Sequence, residues 1–172
     1  VKKIFNVALL LYSIIASAED STLKIKGLYI NMPIDEACEV INNNWLPIFL
    51  QKGISEKAVR CKIARGSNGF YAGFGLLFGI YNIKADNNKL VDSIIFRTFI
   101  VNNLFNVADL NGVDFAQMFA NSYNIPNMEP YESLFGTKGW IPSSPDGFAI
   151  AITNDKDIML SRIPKVSERK FD

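Results

Sequence analysis

The chain has no histidine. That removes the usual general base of serine and cysteine hydrolases, together with the commonest ligand of zinc and haem. Ser-Lys chemistry or a pair of carboxylates remains open to it, since neither needs imidazole. Excess charge is lacking as well, with 18 basic and 17 acidic residues in 172, so no electrostatic case for nucleic acid arises. No glycine-rich run closes on a Lys-Ser or Lys-Thr pair, which excludes a phosphate loop. Asp86-Asn87-Asn88 and Asn154-Asp155-Lys156-Asp157 lack the alternating oxygen ligands and terminal glutamate of a calcium loop, and read as hairpin turns. We therefore expect no metal and no cofactor.

Long apolar runs are scarce. Ile4 to Ile15, interrupted by Asn6 and Ser13, is too short for a membrane-spanning helix, which needs about 20 residues. Preceded by Lys2 and Lys3 and followed by Ala16-Ser17-Ala18, it has the layout of a cleavable secretory signal. Cleavage after Ala18 would give a periplasmic or secreted chain with no stable membrane insertion, and no cysteine follows Ala18 to carry a lipid. The predicted organisation is a signal at residues 1–18, α+β modules at 19–104 and 105–163, and a flexible tail at 164–172.

Cysteine is limited to Cys38 and Cys61. Helical spacing sets Ile34, Ala37, Cys38 and Ile41 on one face, and strand alternation sets Val59, Cys61 and Ile63 on one side of a later segment. Both sulfurs thus point toward one core, and an exported chain favours a bridge between them. Two buried free thiols would give the same pattern.

What the chain has in quantity is apolar surface, 49% of residues, including 13 phenylalanines. Leu23, Ile25, Leu28 and Ile30 suggest a half-buried strand. A helix is expected from Pro33 to about Asn44, with Asp35 and Glu36 at the positive end of its dipole and Asn42-Asn43-Asn44 with Pro47 as its stop. A strand at Ala58 to Ala64 should follow, then one long bent strand through Phe70 to Ile83, whose glycines permit bulges, and a partner at Leu90 to Phe99. In the second half, Asn111-Gly112 opens a helix bearing Phe115, Met118 and Phe119. A loop at Asn127 to Gly139 leads to Trp140-Ile141 and strands at Phe148 to Thr153 and Ile158 to Ile163. The fold class is α+β: an antiparallel sheet with helices on one face, in two tandem helix-strand-strand modules of similar plan.

The run Asn31-Met32-Pro33-Ile34-Asp35-Glu36-Ala37 resembles small exported modules of the BamE-like and beta-lactamase-inhibitor-like group. There a Gly-Met pair, a small capping residue and an acidic helical turn stand at this place; here Asn31 replaces the Gly and Pro33 the cap. The resemblance implies an α+β module used for binding protein rather than for catalysis. It carries over no functional residue.

Phe70, Tyr71, Phe74, Phe78, Tyr81 and Trp140 are the candidate partner surface, because a sheet covered on one face leaves the other free and aromatics dominate binding hot spots. Filling the core is the competing role for the same side chains. Lys62 and Arg65 beside them are ordinary charges on the wet side of a strand. Carboxylates at Asp35, Glu36, Glu39, Glu129, Glu132 and Asp146 read as helix-end partners and turn formers. The expected function is an exported, non-enzymatic protein-binding module, with inhibition as one form of that role and the partner an envelope or extracellular protein. A structural accessory of envelope assembly and a histidine-independent hydrolase are the alternatives.

Overall fold

Lys26 and Gly27 both take left-handed backbone, with φ of 51° and 90°, and make a tight turn between Ile25 and Leu28. The two flanking residues exchange backbone hydrogen bonds of 2.8 and 3.0 Å, and both are buried. This is the hairpin geometry that glycine at a positive φ permits. The computed structural model describes residues 23–73, 81–126, 128–132, 138–142 and 148–163. Within 23–30 it contains this single bridge where alternation suggests a strand, because the Lys26-Gly27 turn folds the segment back on itself. Residues 1–18, expected as a signal, and 164–172, expected as a tail, lie outside the described residues.

Helix α1 spans Ile34–Val40. Pro33 at its N-cap has no side chain with which to cap, and the N–H of Ile34 donates instead to the carbonyl of Lys89 at 2.9 Å. Asp35 and Glu36 occupy the first turn, while Ile34, Ala37 and Cys38 face the core. The helical path does not stop at the asparagine triplet. It widens into one π-helical turn, Ile41–Trp45, and continues as α2, Leu46–Gln51. The cause is the use made of Asn42: its Oδ1 accepts the N–H of Cys61 at 2.8 Å, so this asparagine joins two segments rather than capping one. Pro47 falls in the first turn of α2, where a missing N–H costs little. A short α3, Glu56–Val59, follows.

Among the described residues eight strands form one antiparallel sheet: β1 Lys62–Gly66, β2 Gly69–Gly73, β3 Tyr81–Ala85, β4 Val91–Phe96, β5 Met128–Glu132, β6 Lys138–Pro142, β7 Phe148–Thr153 and β8 Ile158–Arg162. Their order across the sheet is β1-β2-β3-β4-β8-β7-β6-β5. The aromatic run expected as one long strand is divided between β2 and β3, which pair antiparallel with Gly73 opposite Asn82. Between β4 and β5 come α4, Thr98–Phe105, and α5, Gly112–Ser122. The first of these replaces the end of the strand expected to run to Phe99. The second begins as the Asn111-Gly112 signal indicates: Asn111 accepts the N–H of Asp114 at 2.9 Å and donates its Nδ2 to that residue's carboxylate. Gly112 is required there, since a Cβ would collide with the carbonyl of Asn154. Strand β5 occupies part of the stretch expected as a loop.

A single core gathers α1, the π turn, α2, α4, α5 and one face of the sheet, with Trp45, Phe49, Phe96, Phe115 and Phe119 its largest fully buried side chains. Trp45 lies 5.7 Å from Phe96, centroid to centroid, and its indole N–H donates to the carbonyl of Lys26 at 2.9 Å. Cys38 and Cys61 stand at disulfide distance, with Cα atoms 5.4 Å apart, joining α1 to the chain entering β1. Among the described residues no helix is long and apolar enough to cross a membrane.

Candidate functional site

Residues directly opposite each other in an antiparallel ladder share a face, so the register separates the two sides of the sheet. One row runs Ala72, Ile83, Ile94, Leu160, Ile150, and another Phe96, Ile158, Ile152, Trp140. Every member of these rows lies in the core cluster or packs on it. This is the helix side.

The opposite side carries Ala64, Tyr71, Lys84, Ser93, Ser161 and Ala149 in one row. A second row sets Asn82 against Ile95, Ile95 against Met159, and Met159 against Ala151. Farther out, Ile141 stands opposite Glu129 on the last two strands. None of Tyr71, Ile95, Met159 and Ile141 belongs to the core cluster or packs on it. Tyr71 is 39% and Ile141 38% exposed, and Ile95, Met159 and Ala151 are half-buried. The middle of this face is therefore apolar and, among the described residues, lies apart from the core cluster. Basic side chains, Lys62 and Lys84, lie toward β1, and Glu129 lies toward β5. Lys84 pairs with Asp92 at 3.6 Å beside the β4 irregularity.

The aromatics singled out from sequence do not form one surface. Tyr71 is on the open face, with its ring close over Gly66. Phe70, directly opposite Ala85, is half-buried against the core with the Lys89 ammonium 5.4 Å from its ring centroid. Trp140 likewise points to the helix side and packs on the core. The backbone of Tyr81 pairs with Phe96, and Phe74 and Phe78 fall outside the described residues. The residues missed were Ile95, Met159, Ala151 and Ile141. A signal for them existed: Ile94-Ile95 and Ile158-Met159-Leu160 are apolar at consecutive positions, whereas a strand covered on one face alternates.

Catalytic chemistry finds little to work with among the described residues. Asp35, Glu36 and Glu39 are exposed on α1, with Asp35 3.5 Å from Lys89. Glu129 and Glu132 are exposed on β5, and Glu132 pairs with Lys138 at 3.6 Å; Asp146 lies outside the described residues. No group of three potential metal ligands gathers among the described residues. A shallow recess of about 400 Å³ lies at the far hairpin, lined by Pro130, Glu132, Lys138, Trp140 and Asn154 among others. It opens widely to solvent and holds one ion pair, with no nucleophile beside a base.

The turns that invite thoughts of calcium are structural. Asp86 Oδ1 accepts the N–H groups of Asn88 and Leu90 at 2.9 and 3.0 Å, closing the β3–β4 hairpin. In the β7–β8 hairpin, Asp157 receives the N–H and hydroxyl of Thr98 at 2.6 and 2.8 Å and so caps α4 from another element. Arg97 adds a 2.8 Å contact to the same carboxylate. Burial raises the Tyr123 phenol above its ordinary value, partly offset by a backbone hydrogen bond at Lys26.

Compared with protein-family models, characterised proteins and solved structures, the chain matches none. Fold and geometry alone define its class: an α+β protein with one eight-stranded antiparallel sheet.

Proposed function

We propose that this protein is an exported, non-enzymatic module that binds a partner protein through the open face of its sheet. The observation that carries the reading is the apolar row Ile95, Met159, Ala151, which among the described residues lies apart from the core cluster. A contiguous apolar patch at a protein surface, rimmed by polar residues, is the kind of feature that marks an interaction site. The rim suits specificity, with Lys62 and Lys84 toward one end and Glu129 toward the other, so a partner with the opposite polarity docks in one orientation. Export is supported by the signal-like segment at residues 1–18 and by the Cys38–Cys61 pair, a bond that persists in oxidising compartments.

The experiment is capture from an envelope or extracellular extract with immobilised protein, run in parallel with Met159→Asp and with Trp140→Ala. A charge in the centre of the face should abolish capture, and truncation on the helix side should leave it intact in a folded variant. Equal capture by all three proteins would remove the open face from the account.

A further inference from the structure

The two outer strands of the sheet are unlike each other. β5 presents Glu129 and Glu132 and is interrupted by Pro130, which has no N–H to offer a further strand. β1 has no proline, pairs among the described residues on one side only, with β2, and exposes Lys62, Ile63, Ala64 and Arg65 in succession. Ile63 is 37% exposed at this edge. No ion pair among the described residues involves Lys62 or Arg65, whereas neighbouring Arg60 is taken by Glu56. An unpaired strand of this kind is a template for another strand, and its cations decide which. A second copy joining β1 to β1 would oppose like charges, and one bringing its β5 would meet the gap at Pro130. An extended acidic segment meets neither obstacle.

We propose that the β1 edge is a strand-addition site for an extended, proline-free acidic segment of a partner protein. Backbone hydrogen bonds to Lys62–Gly66 supply the affinity, and side chains supply the choice. Lys62 and Arg65 are three residues apart and on opposite faces, so the segment carries two carboxylates three residues apart with an apolar residue facing Ile63 between them. Lys62 also borders the open face, but the backbone edge of β1 stands apart from the Ile95 and Met159 centre of that face.

The test uses the capped peptide Thr-Glu-Thr-Val-Glu-Thr, titrated into isotope-labelled protein while backbone amide shifts are followed. Saturable shifts centred on Lys62–Gly66 are expected, weakened on the order of tenfold by Lys62→Glu with Arg65→Glu, and lost when alternate peptide nitrogens are methylated. Met159→Asp should leave the titration unchanged, which separates this edge from the proposed face. Equal binding of the methylated peptide would overturn the proposal, because charge alone would then explain the contact. Shifts at Ile95 and Met159, or none at millimolar peptide, would overturn it too. Concentration-dependent self-association removed by the double charge reversal would replace the acidic segment with a second copy.

Discussion

The ammonium of Lys156 donates to the carbonyl of Leu110 at 2.9 Å, across 46 residues of sequence. It also reaches the carbonyls of Val107 and Ala108, at 2.9 and 3.2 Å. Lys156 sits buried in the β7–β8 turn with φ of 70°, and ties the α4–α5 connection to the sheet. Lys156→Met keeps much of the stem and removes the donor. Loss of about 1–3 kcal/mol is expected, the range for leaving buried acceptors unsatisfied, measured by urea unfolding of the two proteins.

The neighbouring Asp157 does a related task, capping α4 from outside that helix. Asp157→Ala should destabilise by roughly 1–2 kcal/mol, the usual worth of an N-cap, with Asp157→Asn costing less. Because Thr98 begins α4, amide exchange should rise first in Thr98–Phe105. Uniform exchange along the chain would assign Asp157 some other part.

Removing the Cys38–Cys61 link should cost about 3 kcal/mol in the chain-entropy model, given its separation of 23 residues. Paired serine substitutions, compared with the oxidised protein by denaturant unfolding, measure this. Alkylation of the unfolded, unreduced chain should label neither cysteine.

Tyr123 gives a prediction at alkaline pH. Its phenol is raised in the fold above the ordinary 10.0, chiefly by burial. The unfolded chain therefore releases this proton at lower pH than the folded one. The stability this group contributes is fully present below pH 10.0 and is lost as pH rises toward the higher folded value. Tyr123→Phe should flatten that decline relative to the parent in unfolding series from pH 8 to 11. An unchanged slope would contradict the assignment.

Much of the fold was legible because local chemistry and tertiary packing agree in those places. Asn111-Gly112 opens a helix, and short apolar runs bounded by polar turns mark β7 and β8. Cys38 and Cys61 do meet, but not through the strand expected at Ala58 to Ala64: Val59 ends α3, β1 begins only at Lys62, and Ile63 is exposed. Legibility failed where a distant partner decided the outcome. Asn42 looks like a helix stop until Cys61 supplies a backbone for it to bind, and α4 lacks a local cap because Asp157 supplies one from 59 residues away. Aromatic content drew attention to Phe70 and Trp140, whose register turns them to the core, while unbroken apolar pairs in β4 and β8 marked the open face more quietly.

The central claim is that a protein partner docks on the face centred on Ile95 and Met159. Once a captured partner is in hand, titrating it into isotope-labelled protein tests this most directly. The account predicts shifts at Ile95, Ala151 and Met159, lost in Met159→Asp while the melting temperature is kept. Shifts confined to the helices, or binding indifferent to Met159→Asp, would contradict it.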